Sequence, residues 1–227
     1  MPTVVSPAQP SPTDRPRIAG VLFDLDGTLL DTHDLILASF RHATAQVLGA
    51  PLPDERLMAK VGVPLAQQMA DFSDDPAVQQ RLRDVYRAYN HAHHDKMVQE
   101  FPGVSRTVDE LRKRGMRLGV VTSKRRELAL RGLALFGLDG TFEFVIGSDD
   151  CERHKPDPEP ILMGCERLGL EPAACVYVGD SPFDLQAARA AGATAVAALW
   201  GMFPEEVLAA ERPDAMCRRP EELLAVV

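Results

Sequence analysis

From residue 101 onward, short apolar runs alternate with longer segments in which apolar side chains recur every three to four positions. The apolar runs are MRLGVVTS, FEFVIG, ACVYVGD and ATAVAAL, and the segments between them include KRRELALRGLALFG, DPEPILMGCERLG and PFDLQAARAAG. Glycines stand where the predicted helices should end, at Gly115, Gly137, Gly169 and Gly192. This alternation predicts an α/β fold in which strand, helix and strand form crossover units around a parallel sheet.

The first part of the chain has a different pattern of apolar and polar residues. IAGVLFD, residues 18–24, is another apolar strand, but residues 33–100 show helical periodicity without a convincing strand. We therefore expect a core formed by residues 17–32 and 101–227, with an α-helical insertion over residues 33–100. Residues 1–16 contain five prolines and lack a continuous apolar stretch, so they are predicted to be a disordered tail and not a signal peptide.

Composition excludes several classes of partner. The chain has 227 residues and a net charge of -8, which argues against nucleic-acid binding because that affinity comes from clustered Lys and Arg. The four cysteines are scattered, which favours reduced thiols in a cytoplasmic protein over a disulfide framework or a zinc site. The uncharged stretch between Arg189 and Glu205 is interrupted by glycines and is too short to cross a membrane. We expect no membrane association, and a monomer or homodimer.

Polar side chains follow three of the predicted strands. Asp24 comes directly after VLF, Thr122 after GVV, and Asp180 after VYVG. In an open parallel sheet, ligands bind beyond the carboxyl ends of the strands. The sequence therefore predicts that these three side chains share one site.

Asp24 and Asp26 are two positions apart, so both can face one centre while the leucine between them faces the core. Alternatively, the segment is only an Asp-x-Asp-Gly turn.

Thr122 and Ser123 precede a helix predicted to begin near Lys124, where hydroxyl and backbone N–H groups can bind an anion. They are equally compatible with a helix N-cap, and bound phosphate could use the same donors.

Lys155 lies in HKPDPEP, and if it points inward it is a cation suited to a phosphoryl group and a carboxylate. In GDSPFD, the N-cap Ser181 and the capping acid Asp184 explain each other, with a proline at the first helical position. A helix cap does not explain Asp180, an acid that directly follows a buried strand and a glycine. Coordination of Mg²⁺ by carboxylates would explain its presence there.

Together, DLDGT, VVTS, KPDPEP and GDSPFD resemble the four motifs of the haloacid dehalogenase superfamily, in the order of that family. The resemblance covers about residues 17–227 and implies a Rossmann-like parallel sheet core with an inserted α-helical cap domain. An acid two positions after the first one is typical of the phosphatases and phosphomutases of the superfamily, which Asp26 matches.

The resemblance also implies roles for individual residues. Asp24 would be the nucleophile that forms an aspartyl phosphate, and Asp26 the general acid and base. Mg²⁺ would be held by Asp24, Asp180 and the backbone carbonyl of Asp26, with Asp184 either a further metal residue or only a helix cap. Thr122 and Lys155 would bind the transferring oxygens, helped by Ser123.

Within the superfamily, the chain looks most similar to the phosphoglycolate phosphatase group and its pyrophosphatase relatives. The expected substrate is a small phosphorylated metabolite, with pyrophosphate or 2-phosphoglycolate favoured. Related enzymes use a cap loop that corresponds to Lys60 and Gly62, so Lys60 is either a leaving-group contact or a solvated lysine before a turn. A β-phosphoglucomutase-like mutase and a non-catalytic phospho-ligand sensor are the alternatives.

Overall fold

The computed structural model describes residues 17–227, so the predicted tail lies outside the described residues. The strands are β1 (Gly20–Phe23), β2 (Leu30–Asp31), β3 (Gln99–Glu100), β4 (Arg117–Val121), β5 (Val145–Ile146), β6 (Cys175–Gly179), β7 (Thr194–Ala198) and β8 (Ala215–Cys217). The helices are α1 (His33–Leu48), α2 (Asp54–Met58), α3 (Leu65–Ala70), α4 (Pro76–Met97), α5 (Val104–Lys113), α6 (Arg126–Leu135), α7 (Glu159–Arg167), α8 (Pro182–Ala191) and α9 (Glu205–Ala210).

Six strands form one parallel sheet in the order β5-β4-β1-β6-β7-β8. β1 lies between β4 and β6, with Phe23 opposite Val120 on one side and Val178 on the other. The chain order therefore reverses at β1, which is the position where ligands bind in open α/β sheets. The predicted α/β parallel sheet is confirmed.

Both faces of the sheet are covered, which explains why its strands are continuously apolar. In β1, Val21 and Phe23 belong to one buried cluster, whereas Leu22 belongs to another on the opposite face. The glycines predicted to end helices follow α5, α6, α7 and α8, and each has a left-handed backbone, with φ of 80° at Gly115 and 79° at Gly192. A side chain would be strained at these positions.

Helices α1 to α4 lie between β2 and β3, which pair antiparallel where the chain leaves the sheet region and returns to it. They have a hydrophobic cluster of their own, in which the Phe40 ring lies 4.7 Å from that of Tyr86 and 5.6 Å from that of Phe72. We call residues 33–97 the helical segment. Within residues 17–227, every helix is too short or too polar to span a lipid bilayer.

Candidate active site

The carboxyl ends of β1, β4 and β6 place Asp24, Thr122 and Asp180 around one cavity of about 660 Å³. The backbone N–H of Asp24 donates to the carbonyl of Val178 over 2.9 Å, so β6 fixes the residue that follows β1. The helical segment closes the other side of the cavity. Asp26, Ser123 and Gly62 also line it. The sequence-predicted residues at the three strand ends are therefore brought together.

Lys155 is the buried cation of this site, with 2% of its surface exposed. Its Nζ lies 3.0 Å from Oδ1 of Asp24 and 2.5 Å from Oδ1 of Asp184, and it donates to the hydroxyl of Tyr177 over 2.9 Å. That hydroxyl in turn donates to the carbonyl of Val121 over 2.8 Å. Lys155 thus points inward, the orientation in which it suits a phosphoryl group and a carboxylate, and it is held between two carboxylates.

Burial and charge perturb these groups strongly. Burial alone would lower the pKa of Lys155, but the attraction of Asp184 and Asp24 outweighs it and holds that pKa well above its ordinary value. Burial raises the pKa of Asp24 to about 7, against the attraction of Lys155 and with added repulsion from Asp184 and Asp26. One lysine therefore does not balance the negative charge of the cluster.

Asp180 is buried close to Asp24. Its Oδ1 accepts from the Thr28 hydroxyl at 3.2 Å, and its Oδ2 accepts from the backbone N–H of Met202 at 2.7 Å. Burial, with repulsion from Asp184 and Asp24, raises the pKa of Asp180 well above its ordinary value. A Cβ on Gly27 would lie 2.1 Å from Oδ2 of Asp180, so glycine is required for this close approach.

The donor set of this cluster fits a divalent cation. Asp24, Asp180 and Asp184 each offer a carboxylate oxygen, and these oxygens lie within 4.8 Å of one another. Oδ1 of Asp24 is buried and has no hydrogen-bond partner among the described residues, because Lys155 approaches it without hydrogen-bond geometry. Hard cations such as Mg²⁺ prefer carboxylate oxygens, and a cation here would offset the excess negative charge.

Asp184 differs from the other two carboxylates because both of its oxygens have partners. Lys155 binds Oδ1, while the backbone N–H and the hydroxyl of Ser181 donate to Oδ2 over 3.0 and 2.6 Å. Ser181 and Asp184 form the predicted capping box at the start of α8. Asp184 thus contributes charge to the cluster but has less free bonding capacity than Asp24.

The carboxylate of Asp26 lies apart from this cluster. Lys124 Nζ donates to both of its oxygens, over 2.8 and 3.1 Å. Lys124 was not predicted from the sequence as a site residue, although it follows Thr122 and Ser123 directly and so belongs to the same strand end. This contact joins residues 98 positions apart.

Thr122 and Ser123 do not form the N-cap that was the alternative interpretation. Helix α6 starts two residues later than expected, at Arg126, because Oδ1 of Asp149 accepts from the Arg126 backbone N–H over 2.8 Å. The Thr122 hydroxyl accepts from the Lys124 backbone N–H at 3.2 Å. The Ser123 hydroxyl donates to the carbonyl of Gly62 over 2.6 Å and so links the sheet region to the helical segment.

Lys60 lies outside the set of residues that line the cavity. Its ammonium forms an ion pair of 2.7 Å with Asp71, and 54% of its side chain is exposed. Gly62, two residues on, is in the cavity wall with a φ of 109°. The structure thus brings Gly62 to the site and places Lys60 on the outer side of the same loop.

The comparison with protein families gives the class of this chain. Residues 21–198 match the family model of the haloacid dehalogenase-like hydrolases. The chain belongs to this family, so the resemblance of its four motifs and the prediction of a hydrolytic enzyme are confirmed.

Two relatives that are similar in sequence over nearly the whole chain are pyrophosphatases by name. The chain is 36% identical over 214 residues to the pyrophosphatase PpaX of Bacillus velezensis, covering 94% of this chain and 98% of that protein. It is 38% identical over 207 residues to the pyrophosphatase PpaX of Bacillus pumilus, with coverage of 91% and 95%.

Solved structures give the same architecture. A hydrolase of the haloacid dehalogenase-like family from Streptococcus pneumoniae superposes with a TM-score of 0.81 at 27% identity, covering 92% of this chain and 98% of that one. A predicted phosphoglycolate phosphatase from Haemophilus somnus gives a TM-score of 0.84 at 25% identity, with coverage of 92% and 97%.

Proposed function

We propose that this enzyme is a Mg²⁺-dependent phosphatase that hydrolyses a small phosphate ester or anhydride through an aspartyl phosphate on Asp24. One observation supports this most directly: a buried carboxylate with an unpartnered oxygen lines a cavity beside two further carboxylates and a buried ammonium. A nucleophile needs a lone pair that is not committed to a hydrogen bond, and the Asp24 carboxylate keeps one at the edge of the cavity.

The residues around Asp24 would divide the chemistry between them. A carboxylate oxygen of Asp24 attacks phosphorus, and the bond to the leaving oxygen breaks as the phosphoryl group moves to the carboxylate. Asp26 gives a proton to the leaving oxygen and later takes one from the water that hydrolyses the aspartyl phosphate. Thr122 and Lys155 bind the transferring oxygens, and Lys155 also holds Asp24 in place.

Mg²⁺ would be held by Asp24 and Asp180, with Asp184 close by and the backbone carbonyl of Asp26 completing the set. When bound, the ion neutralises charge on the substrate and on the carboxylates. The two hydrogen bonds that Asp180 accepts fix its carboxylate for this role. Residues 33–100 would act as the cap domain over a core of residues 17–32 and 101–227.

Pyrophosphate and 2-phosphoglycolate are the substrates we favour. The relatives named pyrophosphatase PpaX span nearly the whole chain, and the structural relatives include a predicted phosphoglycolate phosphatase. The four cysteines are free thiols in the structure, which supports a cytoplasmic location.

The test is phosphate release with Mg²⁺ from pyrophosphate, 2-phosphoglycolate and hexose phosphates, for the wild type and Asp24→Asn. The amide has nearly the same shape as the carboxylate but is a poor nucleophile, so we expect a loss of about four orders of magnitude or more in kcat. A folded Asp24→Asn variant that keeps a substantial part of the wild-type rate would contradict the proposal. Free phosphate that accumulates without a sugar acceptor distinguishes hydrolysis from a mutase reaction.

A further inference from the structure

Lys124 is a second ammonium at this site, and the chemistry proposed for Asp24, Asp26 and Lys155 gives it no function. It lines the cavity, yet only 9% of its side chain is exposed. Its contacts to Asp26 are 2.8 and 3.1 Å, so both oxygens of that carboxylate are occupied. While this pair persists, neither oxygen of Asp26 is free to face a leaving group.

The backbone of Lys124 is held on both sides. Its N–H donates to the Thr122 hydroxyl at 3.2 Å, and its carbonyl accepts from the Ser148 N–H at 2.9 Å. Any rearrangement at this position therefore involves the side chain, whose flexible carbon stem ends in a compact charge with three donors. The stem starts two residues after Thr122, next to the predicted phosphoryl site.

We propose that Lys124 is the specificity-determining residue that binds an anionic group carried by the leaving group, and that this anion replaces Asp26 as its partner. The inference rests on the proposed function, because it assigns the phosphoryl end of the substrate to Asp24. A second phosphoryl or carboxylate group can compete with Asp26 for the ammonium, whereas an uncharged leaving group cannot. Release from Lys124 leaves Asp26 free to turn toward the bridging oxygen.

Other cations near the cavity are less suited to this role. Arg87 lies on the exposed surface of α4, and Arg125 lies 3.8 Å from Asp149 with 54% of its side chain exposed. Lys60, which the sequence offered as either a leaving-group contact or a solvated lysine, pairs with Asp71 outside the cavity wall. Among the cations that line the cavity, Lys124 is the one in contact with the predicted acid and base.

Binding of two non-hydrolysable phosphonates tests this assignment without requiring turnover. Methylenediphosphonate carries a second anion beside the bridging position, and methylphosphonate does not. Their Kd values are measured by calorimetry in excess Mg²⁺ for the wild type, Lys124→Met, Lys60→Met and the exposed control Lys113→Met. For Lys124→Met we expect a loss of roughly 10- to 100-fold for methylenediphosphonate and less than about threefold for methylphosphonate. Lys60→Met and Lys113→Met should bind both ligands like the wild type.

Equal losses on the two ligands, no loss on either, or a selective loss in Lys60→Met instead would overturn the assignment. Lys124→Gln removes the charge but keeps a donor for Asp26, and it gives the same comparison should Lys124→Met disturb the fold. A failure of the proposed phosphatase activity gives a different result from a failure of the Lys124 assignment. A wild type that discriminates the ligands through Lys124 but hydrolyses none of the phosphate substrates would contradict the function and support the binding role.

Discussion

At the scale of single residues, the carboxylates of the site differ in how completely they are bonded. Both oxygens of Asp184 have partners, whereas Asp24 keeps a buried oxygen without a hydrogen bond among the described residues. A fully bonded carboxylate orients its neighbours, and one with free lone pairs can react or bind a cation. We therefore interpret Asp184 as the residue that positions Lys155, and Asp24 as the reactive one.

Asp184→Asn should destabilise the fold by about 3 kcal/mol, because it leaves the Lys155 ammonium without one of its two buried counter-charges. Turnover should also fall, since Lys155 loses a contact that orients it toward Asp24. Urea unfolding compares the variant with Asp109→Asn, which changes an exposed residue of α5. Equal unfolding free energies for the two variants would show that Asp184 is not a structural counter-charge.

The residues at strand ends were predictable because the apolar runs stop at them. Asp24, Thr122 and Asp180 each follow a buried strand directly, and a parallel sheet must bring such ends to one edge. The partners Lys124 and Tyr177 were missed because their contacts depend on where the fold places distant segments. Tyr177 lies inside an apolar strand, where its hydroxyl gives no signal along the sequence.

At the scale of elements, the loop between α2 and α3 is where the helical segment meets the sheet region. Gly62 accepts a hydrogen bond from the Ser123 hydroxyl over 2.6 Å, and its backbone has a φ of 109°. A Cβ there would lie 2.7 Å from the Ser181 hydroxyl oxygen and 3.2 Å from the ring of Phe183. The absence of a side chain is thus what lets this loop approach the site.

Gly62→Ala should therefore separate the loop from Ser123 and lower kcat/KM by about tenfold or more, with strain of about 1–3 kcal/mol at this backbone conformation. Steady-state kinetics and cleavage of the α2–α3 loop by a protease measure the two effects. Gly140→Ala is the matched control, because a Cβ at Gly140 meets nothing within 4 Å. Wild-type kinetics in Gly62→Ala would mean that the close approach has no part in turnover.

Element boundaries divide into those set locally and those set by distant residues. The helix ends at Gly115 and Gly192 were correct because a left-handed glycine is a local signal. Helix α6 starts two residues after Lys124, and its first N–H group is satisfied by Asp149, which lies 23 positions away. The sequence offered Thr122 and Ser123 as helix caps, but the Thr122 hydroxyl accepts from the Lys124 N–H and the Ser123 hydroxyl donates to the Gly62 carbonyl instead.

At the scale of the whole molecule, the buried carboxylates couple stability to pH and to metal. Asp24, with its pKa raised from 3.8 to about 7, takes up a proton on folding when the pH lies between these values. The metal-free protein therefore loses stability as the pH rises through this range. A bound divalent cation must displace such protons at low pH but not at high pH.

Mg²⁺ at roughly 100 times the Kd measured at a pH well above 7 should raise the Tm there by about 5–10 °C. The same Mg²⁺ concentration should raise the Tm by less at a pH well below 7, where the ion must displace protons. Thermal unfolding with Mg²⁺ or with chelator measures this, and Asp139→Asn serves as the exposed control for Asp180→Asn. Asp180→Asn should lose most of the gain. A Tm that does not respond to Mg²⁺ at either pH would argue against a resident divalent cation at this cluster.

The most direct test of the proposed chemistry is to find the covalent intermediate on Asp24. The Asp26→Asn variant lacks both the acid for the leaving oxygen and the base that activates water. With an activated aryl phosphate, whose leaving group needs no proton, and Mg²⁺, phosphoryl enzyme should therefore still form and then accumulate before an acid quench. Peptide mass spectrometry should then find one phosphoryl group on Asp24, and none when Asp24→Asn is added to the same variant. A phosphoryl group on another residue, or one that persists when Asp24 is replaced, would contradict the central claim.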